Sequence, residues 1–127
     1  MKKRQFFLKI IICLLFSTII MQGFLFANKS DVEISVPTEV KKGDIITIKL
    51  KVIHKGNNFF HYTDVVTLKI NGDILKKWEF SSFTRPENEV FTREITYTVN
   101  GPVTISAVAN CNLHGSIDER SVIINVK

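Results

Sequence analysis

The side chains most able to do chemistry in this sequence are three histidines, His54, His61 and His114, and one cysteine, Cys111. Imidazole nitrogens and thiolate sulfur are donors for divalent transition metals, with bonds of about 2.0–2.1 Å for nitrogen and about 2.3 Å for sulfur. His54 ends one predicted strand and His61 begins the next, with a six-residue loop between them that contains Gly56-Asn57-Asn58. If those strands pair antiparallel, the two rings oppose each other across the loop mouth, where facing Cβ atoms sit about 4.5–5.5 Å apart. Cys111 and His114 form Cys-x-x-His between turn-prone Asn112 and Gly115. That spacing lets a thiolate and an imidazole converge on one ion without a helix. Each residue alone has an ordinary explanation: a strand-end histidine is usually a surface group, and a lone cysteine is often inert. Their joint placement, in two pairs at predicted loop mouths, favours metal binding.

The elements that must position them read as strands throughout. Lys and Thr alternate with apolar residues from Thr47 to Val52, and similar segments occur at Asp31–Val36, His61–Ile70, Ile74–Phe80, Glu89–Val99, Val103–Asn110 and Arg120–Val126. Turn signals separate them, the strongest being Asn71-Gly72, whose residues accept the positive φ of a tight hairpin. No segment keeps a 3.6-residue period. The expected fold is all-β: an immunoglobulin-like β-sandwich of about seven strands, preceded by an N-terminal signal segment.

That N-terminal segment, residues 1–27, begins with Lys2, Lys3 and Arg4, continues as an apolar run and closes at Ala27. The order is that of an exported protein's signal peptide, with an uncleaved anchor as the alternative. The expected domain is then residues 28–127, periplasmic or extracellular, touching a membrane only through residues 1–27 if they stay attached. Cleavage leaves thirteen basic and twelve acidic residues, a net charge of +1 in place of +5. The basic balance therefore gives no support for a nucleic-acid partner. Cys13 lies in the same segment, so Cys111 remains without an internal disulfide partner. No Gly-x-Ser-x-Gly elbow or phosphate-cradling glycine loop is present.

Cys111-Asn112-Leu113-His114-Gly115, after a strand rich in Val and Ala, resembles the Cys-Asn-x-His-Gly signature of the superoxide reductase (desulfoferrodoxin, neelaredoxin) family. The turn Val36-Pro37 to Gly43, and His54 followed by His61-Tyr62, agree with it in order. The resemblance covers roughly residues 28–127. It implies one ferrous iron per chain on an immunoglobulin-like sandwich, with four equatorial imidazoles and an axial thiolate. It also implies reduction of superoxide to hydrogen peroxide, with an external electron donor. His54, His61 and His114 match three of the imidazoles and Cys111 the thiolate.

Two departures stand out. The family's first histidine falls on Ser30, with Lys29 retained and Asn28 in place of a Glu. The loop between the paired histidines is also one residue longer than usual. The vacated position is expected to hold water or the Ser30 oxygen, or the site closes to a tetrahedron that prefers zinc. Lys29 is the candidate catalytic residue, supplying positive charge near the open position. Asn112 and Leu113 are expected to shape the cysteine loop and to offer amides to the sulfur. Phe59 and Phe60 are weaker candidates for shielding the metal, while Trp78, Phe80, Phe83 and Phe91 are expected to pack.

Two other functions compete. A cupredoxin-like electron carrier would use copper, but such sites usually have an axial Met, and both methionines, Met1 and Met21, lie in the signal segment. A non-catalytic metal-binding sandwich is favoured by the lost imidazole. Assembly into a homo-oligomer is left open.

Overall fold

The computed structural model describes residues 28–127, and the signal and anchor readings of residues 1–27 lie outside it. Seven strands occur: β1 (Asp31–Ser35), β2 (Ile45–Ile53), β3 (Thr63–Ile70), β4 (Asp73–Glu79), β5 (Val90–Thr98), β6 (Val103–Cys111) and β7 (Arg120–Ile124). No helix occurs among the described residues. A three-stranded sheet in the order β1-β2-β5 faces a four-stranded sheet in the order β4-β3-β6-β7, with every strand pair antiparallel. This is the expected sandwich, with strand ends that differ from the sequence reading by a residue or two.

Period-2 alternation builds the core. Ile46, Ile48, Leu50 and Val52 of β2 point inward while Ile45, Thr47, Lys49 and Lys51 point out. From the other sheet Val66, Leu68 and Ile70 of β3 meet them, together with Val103, Ile105, Ala107 and Ala109 of β6. Asn71 and Gly72 turn β3 into β4 with φ of 51° and 90°, as the hairpin signal required.

One expected pairing does not occur. β2 and β3, which flank the histidine loop, lie in different sheets. β2 bonds to β1 and β5, and β3 to β4 and β6, so the 55–62 segment crosses from one layer of the sandwich to the other. His54 and His61 therefore meet across the end of the sandwich and not as a cross-strand pair.

The aromatic expectations divide. Phe91 is buried, and Trp78 and Phe80 pack against the core. Phe83 is 87% exposed and stacks edge-on against Phe59 at 5.5 Å, outside the core. A β4–β5 loop has no inward strand phase to bury such a ring.

Candidate metal centre

The inward phase of two strands sets the site. His54 lies two residues past Val52, so it continues the buried row of β2, and it is 1% exposed. Cys111 lies two residues past Ala109 on β6, continues that row in the same way, and is also 1% exposed. Thr63 of β3 is paired with Cys111, so the start of β3 and the end of β6 share this end of the sandwich with the end of β2.

His54 is oriented by Asn57. The Thr63 N–H donates to Asn57 Oδ1 at 2.8 Å, and Asn57 Nδ2 donates to the Asn88 carbonyl at 2.8 Å. These two bonds fix which end of the amide is oxygen. Asn57 Oδ1 is therefore an acceptor for His54 Nδ1, 2.9 Å away, and that ring nitrogen carries the proton. The other, Nε2, presents a lone pair to the site. A supporting acceptor of this kind fixes a ligand's tautomer and ring orientation. Asn57 itself takes a left-handed φ of 36°, a conformation Asn tolerates better than most residues.

His61 is held by its own loop. The Asn58 side-chain oxygen accepts from the backbone N–H groups of Phe60 and His61, and Asn58 N donates to the His61 carbonyl. The ring lies against Gly56, where a Cβ would stand only 2.6 Å from His61 Nδ1. Glycine is thus required there for close approach as well as for its φ of 135°.

The Cys111–His114 segment is a tight return. Cys111 and Gly115 exchange backbone hydrogen bonds of 2.9 and 3.0 Å, and Gly115 at φ 75° makes the turn possible. His114 is thereby folded back beside Cys111. Asn112 ties this turn to the histidine loop: it accepts from the Tyr62 N–H, donates from Nδ2 to the Phe60 carbonyl, and its N–H bonds to the Tyr62 carbonyl. Asn112 shapes the loop as expected; its backbone N–H serves Tyr62, and the Cys111 thiol meets its side-chain oxygen at 3.9 Å. Leu113 is 61% exposed, and Phe60 is 77% exposed on the outer side of the histidine loop.

The donor atoms converge. His54 Nε2 lies 3.1 Å from His61 Nε2, and His61 Nε2 lies 3.0 Å from His114 Nδ1. Cys111 Sγ is 3.8 Å from His114 Nδ1. One donor atom from each of His54, His61 and Cys111 falls within 4.8 Å of the others. Burial, and after it the charge that His54 would carry, push the His61 pKa below its ordinary value, while the Asn28 carbonyl opposes them. A proton on His61 is therefore disfavoured. Two nitrogens bound at about 2.0–2.1 Å to one ion stand about 2.8–3.0 Å apart at a right angle and about 3.3–3.4 Å apart at the tetrahedral angle. The observed nitrogen spacings of 3.0 and 3.1 Å are of the size that donors sharing one ion take. Three imidazole nitrogens and a thiolate sulfur are a donor set that would hold one divalent transition-metal ion.

A model of the desulfoferrodoxin family matches residues 27–120. The chain belongs to the desulfoferrodoxin family. As a desulfoferrodoxin it has solved structural neighbours that share its fold. A superoxide reductase (neelaredoxin) from Ignicoccus hospitalis aligns with a TM-score of 0.66 at 21% identity, over 80% of this chain and 84% of that one. A Thermotoga maritima protein provisionally assigned to the superoxide reductases gives 0.56 at 22% identity, over 76% and 85%. The CARDB domain of a Pyrococcus furiosus protein, solved in complex with di-metal ions, gives 0.60 at 20% identity, over 79% and 94%. Among curated proteins none is significantly similar in sequence.

Residues 28–30 of the desulfoferrodoxin lie at the same end. Ser30, where the family's first histidine would fall, is fully buried, and its hydroxyl shares a 2.9 Å hydrogen bond with Thr63 Oγ1. Its oxygen, one of the candidates for the vacated position, is thus engaged with Thr63. Lys29, partly buried, sits between Ser30 and Asn28, whose carbonyl oxygen is 3.0 Å from His54 Nε2. The sequence reading missed Asn57 and Gly56 as supports, having taken both as turn residues only. It also missed that counting the inward phase of β2 and β6 two residues onward reaches His54 and Cys111.

Proposed function

We propose that this desulfoferrodoxin holds one iron ion through His54, His61, His114 and Cys111 and reduces superoxide to hydrogen peroxide outside the cytoplasm. The observation that carries the reading is the convergence of three ring nitrogens and one sulfur at a buried end of a desulfoferrodoxin fold. Iron, when bound, supplies the one-electron change by which superoxide, with one electron and two protons, becomes hydrogen peroxide, an external donor then returning the electron.

The chain's own residues set the conditions. Asn57 keeps the proton of His54 on Nδ1 and so keeps Nε2 available. Gly56 lets His61 lie close to its loop, and Asn112 locks the Cys111 turn to that loop. Cys111 contributes a thiolate, a soft donor that raises electron density at the ion. Lys29 provides positive charge that attracts an anion to this end of the molecule. Membership of the desulfoferrodoxin family, together with the His/Cys donor set, supports iron over zinc. Copper is less well served, since residues 28–127 contain no methionine. Residues 1–27 act as the export signal, a reading supported by their basic start, apolar run and closing Ala27.

The test is a single-turnover experiment. The chain is loaded anaerobically with ferrous iron and mixed with superoxide without a donor. The expected result is one hydrogen peroxide per iron oxidised and no molecular oxygen evolved. Oxygen released in step with peroxide, or superoxide decaying at the buffer rate with iron bound, contradicts the reading.

A further inference from the structure

We propose that the main-chain carbonyl oxygen of Asn28 is a metal ligand, filling the place left by the imidazole that this chain lacks. The inference rests on the reading above that the His/Cys cluster holds iron.

Three observations lead to it. First, Asn28 O is 3.0 Å from His54 Nε2. With the Asn57 amide fixed by Thr63 and Asn88, the His54 proton is on Nδ1, so Nε2 offers a lone pair. A carbonyl oxygen is also a lone-pair donor. At this distance the two atoms are placed to share one cation. Second, the same Nε2 lies 3.1 Å from His61 Nε2, which in turn lies 3.0 Å from His114 Nδ1. The oxygen therefore joins a group of lone pairs that already share a centre. Its spacing from Nε2 is near the roughly 2.8–3.0 Å expected for cis donors at bonds of about 2.0–2.1 Å.

Third, the segment that carries the oxygen is stitched in place. Ser30 N donates to the Gly115 carbonyl at 3.3 Å, Ile117 N donates to the Ser30 carbonyl at 2.9 Å, and the Ser30 hydroxyl meets Thr63. Ser30 also pairs with Ser116 as a parallel bridge. Just beyond it Arg120 grips Asp31 with bonds of 3.0 and 2.8 Å. The Ser30 side chain is engaged with Thr63. What it does is hold the preceding backbone against the site. A carbonyl oxygen is a harder donor than an imidazole nitrogen, so this arrangement keeps the donor number while making the site less suited to a soft ion such as Cu(I).

The test reads coordination and not turnover. The chain is produced with asparagine labelled with carbon-13 at the main-chain carbonyl, loaded with iron, oxidised, and examined by electron–nuclear double resonance. The expected result is a strong carbon-13 coupling in the natural chain that is lost in Asn28→Gln. That variant keeps the carbonyl but removes the label from position 28. Iron content should stay at one per chain in both, and Asn28→Ala should bind iron within about threefold of the natural chain, because only the side chain changes. Iron bound with no such coupling, or with the coupling intact in Asn28→Gln, overturns the proposal and leaves the four-residue site standing. A chain that takes up no iron overturns both.

Discussion

Gly56 offers a sharp test of how the loop positions His61. In Gly56→Ala the new methyl would lie 2.6 Å from His61 Nδ1, 3.1 Å from Cε1 and 3.4 Å from Cγ. Ordinary contact begins near 3.4 Å, so the ring must retreat by about 0.8 Å, a displacement well beyond the ±0.2 Å tolerance of a metal–ligand bond. His61 Nε2 is the central donor, 3.1 Å from His54 Nε2 and 3.0 Å from His114 Nδ1, so moving it opens both spacings. Loss of support to a ligand typically costs 10–100-fold in affinity, or about 1.4–2.7 kcal/mol. Alanine at a positive φ also destabilises the fold, on the order of 1 kcal/mol or more. Gly72→Ala separates the two effects, because Gly72 has φ 90° but nothing within 4 Å of its Cβ position. Iron affinity is measured by competition with a chelator, and stability by thermal unfolding of the metal-free chains. The expected outcome is that both variants lose stability but only Gly56→Ala loses affinity, by at least tenfold. Affinity within threefold of the natural chain in Gly56→Ala would refute the role given to the ring's close approach.

Asn57→Gly keeps the left-handed backbone available but removes the acceptor for His54 Nδ1 and the Thr63 N–H; iron affinity should fall about tenfold or more in the same competition assay. Ser30→His, the replacement that would restore the family's imidazole by sequence alone, should not tighten iron binding. The side chain there is fully buried against Thr63, and overpacking should cost about 1–3 kcal/mol by denaturant unfolding. Hydrogen bonds from Arg93 hold Glu87 at about 2, below its ordinary 4.5. The pair's stabilisation is therefore fully present above pH 4.5 and is lost as pH falls through about 2. Because the Glu87 side chain is half exposed, Glu87→Gln should cost only about 0.2–1 kcal/mol near neutrality, and the difference should vanish in acid, as followed by unfolding across pH.

The parts of this molecule legible in the sequence are those written locally. Alternation from Thr47 to Val52 gives β2 and its inward face, Asn71-Gly72 gives the β3–β4 turn, and Cys111 to Gly115 gives a tight loop that brings sulfur and ring together. What is not local was misjudged. The His54–His61 encounter depends on the 55–62 segment crossing between sheets, and neither flanking strand encodes which sheet it joins. The direction of the Ser30 side chain depends on Thr63, 33 residues away. A backbone oxygen such as that of Asn28 carries no residue type to read at all, and its place follows only from the hydrogen bonds that tie residue 30 to residues 115 and 117. Asn57 looked like a turn former because it is one; its second role appears only when Asn88 fixes the other end of its amide.

The claim on which the account depends is that one iron ion is shared by three imidazoles and the Cys111 thiolate. Iron analysis with the visible spectrum of the oxidised chain, beside Cys111→Ser, tests it most directly. The account predicts one iron per chain and a strong sulfur-to-iron charge-transfer band that disappears in the serine variant. Iron bound with a spectrum indifferent to that replacement, or a chain that takes up only zinc, would contradict it.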